Sequence, residues 1–432
     1  MSNIDATAVP ADPRSAERLR ASGFDYRVLD AADVAAIDAF SRADARGFLD
    51  PEPSREHLDG VRPSLAARRN IGVFETGAAE GALPIATVNS WVTPLTVSGG
   101  ELPMWAISSV TVAATHRRRG IARNLLEGEL RAAADAGVPV AGLTASEATI
   151  YGRYGFAPAV PVARVAIDTR RAGWQAAAAP GRLEYVDREQ LAVDLSELHE
   201  GARRARAGQI SGWPYRWRRT AGLADEGGKG AAVRGVRYLD AAGVVRGILA
   251  YRLAEQADGF RFTLTIAQLT TQTDEALRAL WGFAVTHDLV TRVEADLRPL
   301  DDPIVHLVAD QRAVEFTVHD HGWLRVLDVP AVLTARTYRA PLDVVLRVTD
   351  PLGFAEGTWR LVVGADGRAE VATTDAAADL SLSVVELSAI LVGGVSATHL
   401  AAAGRIQADE AVSASVDDAF RAQRAPLLGI WY

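Results

Sequence analysis

The sequence predicts an α/β fold, and three observations predict it. Short β-branched runs alternate with stretches that carry apolar residues every three or four positions, the periods of strand and helix respectively. At residues 107–130 a strand pattern meets a helix pattern through a short basic turn containing glycine. The order of patterns in residues 24–167 then partly recurs in residues 183–295. A chain of 432 residues is too long for one hydrophobic core, so two to four domains are expected.

The elements follow in order. Residues 1 to about 20 are polar and are expected to be loosely ordered. Tyr26–Leu29 suits a first strand, and Ala31–Ala43 a helix whose Val34, Ile37 and Phe40 share a face. A proline-rich turn precedes a helix near Ser54–Arg62, and Ile71–Phe74 and Leu83–Val92 read as strands flanking a glycine-rich turn. Met104–Val112 is a strand, Gly120–Ala136 a helix, Val138–Ala145 a strand, Thr149–Tyr154 a helical turn and Val160–Ile167 the closing strand. After an alanine-rich linker at 173–181 come a strand (Leu183–Val186), a helix (Arg188–Arg206), three strands (Ala231–Leu239, Val244–Ala254, Phe260–Leu269), a helix (Asp274–His287) and a strand (Thr291–Ala295). Beyond about 310 the pattern changes to strands at Trp323–Leu327, Leu342–Val348, Gly357–Val363 and Ala369–Thr373, then helices at Val384–Leu391 and Ala397–Ala403. The last residues, Arg424–Tyr432, are apolar and end in two aromatics, so they are expected to be buried.

The turn at 117–122, Arg117-Arg-Arg-Gly-Ile-Ala122, carries the most specific chemistry. Gly120 lets backbone approach a ligand with no Cβ in the way. The first helical turn has N–H groups with no partner in the helix, and its dipole favours an anion. Arginines add charge-assisted donors for phosphate oxygens. Three arginines in a row more often form a solvated face. Here the strand before and the helix after favour a pyrophosphate cradle.

Composition excludes other chemistries. There is no cysteine, hence no disulfide, thiolate metal site or thiol nucleophile. A net charge of −8 argues against nucleic acid as the main partner. No signal peptide or apolar run long enough to span a membrane is visible, so a cytoplasmic protein is expected. His319 and His321 have no evident third ligand, and no metal is expected.

Taken together, Thr115-His-Arg-Arg-Arg-Gly120, Ala145-Ser-Glu147 and Ile150-Tyr-Gly-Arg-Tyr-Gly-Phe156 resemble the Eis (enhanced intracellular survival) family of GNAT N-acetyltransferases. The resemblance covers nearly the whole chain. It implies tandem GNAT-type units followed by a sterol-carrier-protein-like domain. The first spans 1–176 and holds the acetyl-CoA site, the second (177–308) lacks the cofactor motif, and the third (309–432) sends its C-terminus into the active site. It also implies acetyl-CoA as co-substrate, aminoglycoside-like polycationic or polyamine acceptors, lysine side chains as further acceptors, and a homo-hexamer.

Site roles carry over by position. Val110 and Val112 are expected to offer backbone groups to the pantetheine arm, with one amide polarising the thioester carbonyl. Arg117, Arg118, Gly120, Ile121 and Ala122 are expected to hold the pyrophosphate, and Ser146 to line the channel. Tyr151 is the expected general acid for the departing thiolate, and the terminal carboxylate of Tyr432 the general base, raised in pKa by burial beside Trp431 and held in position by the aromatic side chain. Tyr154, three residues from Tyr151, is the competing acid, and Glu147 the competing base. Trp213, Tyr215 and Trp217 are an aromatic wall for a cation or, more ordinarily, core. Asp30, Asp33, Asp38, Asp44 and Asp50 either make the acceptor pocket negative or are solvated helix faces. Two rivals stand beside this reading: an acetyltransferase dedicated to one protein lysine or metabolite amine, and a lipid-binding protein with a vestigial GNAT unit.

Overall fold

The computed structural model describes residues 4–224, 228–257 and 259–432, and they form two compact units. The first unit takes the chain up to Val160, His321–Gln423 and Tyr432, and the second takes Pro161–Asp320 and Arg424–Trp431.

The chain begins with α1 (Pro13–Ala21), β1 (Phe24–Val28), α2 (Val34–Phe48), α3 (Arg55–Ala66), β2 (Arg69–Glu75), β3 (Ala86–Val97), β4 (Gly100–Val112), α4 (Ile121–Asp135), β5 (Val140–Thr144), α5 (Ala148–Tyr151) and β6 (Ala157–Asp168). The N-terminal expectation is corrected. Residues 13–21 are helical because Asp12 accepts from the Ser15 N–H and Pro13 occupies the first turn. Arg131 of α4 clamps Asp12 at 2.8 and 2.9 Å, and Leu19 is buried. Met1–Asn3, also within that expectation, lie outside the described residues.

Strands β1 to β4 pair antiparallel in sequence order, and β5 joins β4 in parallel through Met104–Ala106 and Val140–Gly142. Past that short ladder the two strands are no longer paired, which leaves a gap between their C-terminal ends. Helix α4 covers this sheet with Ile121, Leu125, Leu126, Leu130 and Ala133, all buried. Each fully buried leucine contributes about 1.5–3 kcal/mol.

The chain continues with α6 (Thr169–Ala172), β7 (Arg182–Val186), α7 (Arg188–Arg203), α8 (Pro214–Thr220), β8 (Arg234–Leu239), β9 (Val245–Glu255), β10 (Phe262–Thr271), α9 (Asp274–Val285), β11 (Val290–Arg298), α10 (Ile304–Leu307) and β12 (Val314–Val326). In the second unit β7, β8, β9 and β10 pair antiparallel in sequence order, β11 joins β10 in parallel, and β6 pairs with β11. Thr273 caps α9 by accepting from Ala276 N–H, and Leu280, Trp281 and Ala284 fill the core beneath it. Strand β12 starts nine residues before the expected Trp323, and its end, Gly322–Val326, pairs with β5 in the first unit.

The remainder comprises α11 (Val329–Thr334), β13 (Leu342–Thr349), β14 (Gly357–Val363), β15 (Ala369–Thr373), β16 (Leu380–Ser383), α12 (Val384–Ile390), α13 (Ala397–Ala402), β17 (Gln407–Ala408) and α14 (Glu410–Phe420). The strands form a five-stranded sheet in the order β15-β14-β13-β16-β17. Gly364–Gly367 makes the hairpin turn between β14 and β15. Among the described residues, no helix is long and apolar enough to cross a membrane.

Candidate active site

The site is built around the gap between β4 and β5. Strand β4 bulges before it ends: Thr111 opposes Thr87 and Ser108 opposes Asn89, so Ser109 and Val110 together face Val88. Ser109 takes a positive φ of 55°, uncommon outside glycine. Such a bulge bends the strand and redirects its side chains and amides. Val110 and Val112 lie there, each half-buried.

The basic turn follows. Arg117, Arg118, Arg119 and Gly120 are exposed. Arg118 and Gly120 adopt positive φ of 62° and 75°, coiling the backbone into a concavity. Helix α4 has no side-chain cap, and its first intrahelical bond runs from Asn124 N–H to Gly120. The N–H groups of Ile121, Ala122 and Arg123 precede that bond. A Cβ built on Gly120 meets nothing within 4 Å, so the concavity opens to solvent. These features fit a diphosphate: charge, amide donors and room. His116, beside the turn, bonds Glu75 at 3.0 Å and Thr115 at 2.8 Å, which fixes the entry to the turn.

On the far side, Ser146 and Glu147 are exposed, and Tyr151 is buried against Phe156 and Trp323, with ring centroids 6.2 and 6.3 Å away. Burial, with a smaller contribution from Glu147, pushes the Tyr151 phenol above its ordinary value, so it stays protonated and can donate. Tyr154 is also buried and pushed up, but the charges around it are Arg153, Glu127 and Arg123, the last two from α4. The two tyrosines therefore occupy different surroundings.

The turn carrying Tyr151 is held by residues the sequence did not advertise. Arg325 of β12 donates to the Tyr154 carbonyl at 2.8 Å and to both Asp350 oxygens at 2.7 and 2.8 Å, all fully buried. Gly155, at φ 88°, is required: a Cβ there would sit 2.3 Å from Arg325 Nε. Replacing Asp350 by alanine would strand the guanidinium. Such losses cost about 3–5 kcal/mol, and thermal denaturation of Asp350→Ala is expected to show a loss of that size. An unchanged Tm would refute the latch.

The chain end is ordered as expected. In the second unit Leu428 and Ile430 are buried, Leu427 N–H bonds Ala207, Gly429 N–H bonds Gln209, and Arg216 donates to the Trp431 carbonyl at 3.2 Å. In the first unit the Thr144 hydroxyl donates to a terminal oxygen of Tyr432 at 2.5 Å, at the end of β5. The Tyr432 ring meets Trp91 edge-on at 5.5 Å, and its hydroxyl lies so near Gly142 that a Cβ there would approach to 3.0 Å. Trp431 is 42% exposed, and the ring that meets Tyr432 edge-on is Trp91 of β3. Sequence reading missed Trp91 because nothing local distinguishes it from an ordinary strand aromatic.

Of the other candidates, Trp217 is core, its ring tilted against His199 with centroids 4.9 Å apart, and Trp213 and Tyr215 flank it half-buried at the start of α8. His319 faces Asp296 at 3.5 Å. Asp33 caps α2, Asp30 accepts from Ala32, and Asp38 binds Arg62 and Arg55. Asp44 is different, being turned inward.

Comparison with known proteins gives a consistent set. Family models described as acetyltransferase (GNAT) domain match residues 28–159 and 208–326, and one described as sterol carrier protein domain matches 329–429. An uncharacterized N-acetyltransferase of Streptomyces avermitilis is 38% identical over 88% of this chain and 92% of its own length. The N-acetyltransferase Eis of Mycobacterium tuberculosis is 32% identical over 81% of this chain and 86% of its own. The crystal structure of Eis1 from Mycobacterium abscessus superposes with a TM-score of 0.78 at 31% identity, covering 94% of this chain and all of that one.

Proposed function

Since the chain belongs to the Eis-type GNAT N-acetyltransferases, we propose that it moves the acetyl group of acetyl-CoA to primary amines of polycationic, aminoglycoside-like acceptors, at several positions per molecule, and to lysine side chains. It is an acetyltransferase; the acceptors and the residue roles are our reading. One observation carries the mechanism: the terminal carboxylate rests on Thr144 where β5 ends, beside the gap from β4.

Acetyl-CoA, when bound, supplies an activated thioester. Arg117, Arg118, Gly120, Ile121 and Ala122 hold its diphosphate, Val110 and Val112 align the pantetheine arm through backbone groups, and Ser146 lines the channel. The Tyr432 carboxylate draws in the ammonium and accepts its proton. The amine nitrogen then bonds to the carbonyl carbon as the C–S bond breaks, Tyr151 protonates the departing sulfur, and the second nitrogen proton passes to the phenolate, restoring Tyr151 and leaving a neutral amide. Held protonated by its surroundings, the Tyr151 phenol has a proton to give to a thiolate. Removing that proton donor typically costs a factor of about 10²–10⁴, so Tyr151→Phe is expected to lower kcat by about that much with acetyl-CoA affinity kept. Tyr154→Phe distinguishes the two tyrosines, and a larger loss there would reassign the acid.

In this reading the regions 1–176, 177–308 and 309–432 are a catalytic GNAT domain, a GNAT-like domain without the cofactor motif, and a sterol-carrier-like domain serving catalysis through its tail. The working form is a cytoplasmic homo-hexamer without metal. Steady-state assays across aminoglycosides, polyamines and lysine peptides test the acceptor class. Turnover of a single lysine peptide alone would favour a dedicated enzyme.

A further inference from the structure

The second unit holds a cavity of about 320 Å³ between α9 and the alanine-rich segment that leads into β7. That volume falls within the roughly 300–1,000 Å³ range of small-molecule sites. All of its lining belongs to the second unit. One face of α9 is committed to the core through Ala276, Leu280, Trp281 and Ala284. The opposite face brings Arg278, Ala279 and Gly282 to the cavity. Gly282 leaves room there for the Trp174 ring, which an added Cβ would approach to 3.1 Å. Trp174 and the alanines at 177–179 give the lining its apolar character, and Tyr238 of β8, itself buried, completes it.

Two donors stand on this lining. The Arg278 Nε–H is buried and has no acceptor among the described residues. The Tyr238 hydroxyl accepts from the Gly181 N–H at 3.0 Å, which leaves its own proton to give. Arg182, also on the lining, is exposed and spends its charge on Glu184 at 2.9 Å. Among the described residues, no carboxylate lines the cavity. A buried donor left without an acceptor is costly, so the arrangement calls for a group that only accepts. A carboxylate is such a group, and a guanidinium edge takes it through Nε–H and a neighbouring N–H together. The apolar remainder of the lining disfavours a strongly hydrated dianion and favours a single charge carried on an apolar body.

We propose that this cavity binds a small monocarboxylate with an apolar body, of the class of medium-chain fatty acids, with Arg278 and Tyr238 holding the carboxylate and Trp174 and the alanines covering the chain. The inference stands apart from the acetyltransferase reading, because neither the basic turn nor the chain end contributes to the lining. It gives the second unit a ligand of its own, although no basic glycine-bearing turn precedes α9 there.

Titration calorimetry of octanoate into the full-length protein tests this. Octanoate is expected to bind, and octanol, with the same chain and no charge, to bind at least about tenfold more weakly. Arg278→Met keeps an apolar stem and removes the donors, and it is expected to weaken octanoate binding about tenfold or more. No octanoate binding by the wild-type protein, or equal affinity in the two proteins, overturns the site. Octanol binding as tightly as octanoate overturns it too, since the carboxylate would then go unrecognised. Inorganic phosphate that displaces octanoate with comparable affinity would make the cavity a phosphate site and overturn the carboxylate assignment. Should Arg278→Met lose its cooperative thermal transition, Ala279→Leu decides, because it fills the cavity from the same helix face. Weakened octanoate binding in that variant supports the site, and unchanged binding overturns it.

Discussion

Appending two glycines after Tyr432 is expected to abolish turnover while acetyl-CoA affinity stays intact. The extension turns the terminal carboxylate into an amide, which can neither take a proton nor attract a cation. It also forces backbone into a place bounded by Thr144, Trp91 and Gly142, where the last residue already fits closely. Losing a positioned base costs a factor of about 10²–10⁴ in rate, and the steric conflict adds to it. Deleting Tyr432 should lower kcat comparably, because it removes the residue whose terminal oxygen the Thr144 hydroxyl binds. Single-turnover measurement with saturating acetyl-CoA reads the effect on chemistry alone. An extended protein with undiminished kcat would mean that Glu147 or water removes the proton.

Replacing Gly120 by glutamate is expected to weaken acetyl-CoA binding by a factor of about 100 or more. Three effects point the same way. At φ 75° any side chain adds backbone strain. The open space above Gly120 is the space assigned to the diphosphate. A carboxylate there repels phosphate from amides and arginines that would otherwise attract it. Calorimetry would show the loss. Wild-type affinity in Gly120→Glu would place the cofactor's phosphates elsewhere.

The elements that could be read from sequence are those whose signals are local. The cradle is six consecutive residues between a β-branched strand and an amphipathic helix, and α4 and β5 fall where periodicity puts them. The N-terminal helix was hidden because its polar composition says little, while its stability depends on Arg131, 119 residues beyond Asp12. Strand β12 was read short because its first half, Val314–Asp320, alternates apolar with polar and charged residues and is largely exposed, which lacks the continuous apolar signal of a buried strand. In the site, Tyr151 and the chain end were legible as chemistry. Arg325, Asp350 and Trp91 were not, because each matters only through partners far along the chain. Asp44 was visible only as one of five aspartates. Helical spacing already set it four residues after Phe40 on the buried face, a hint that the abundance of neighbouring carboxylates masked.

The first compact unit is assembled from separated stretches of chain, the part up to Val160, His321–Gln423 and Tyr432. Any truncation after Val160 therefore cuts material out of the unit that carries the basic turn.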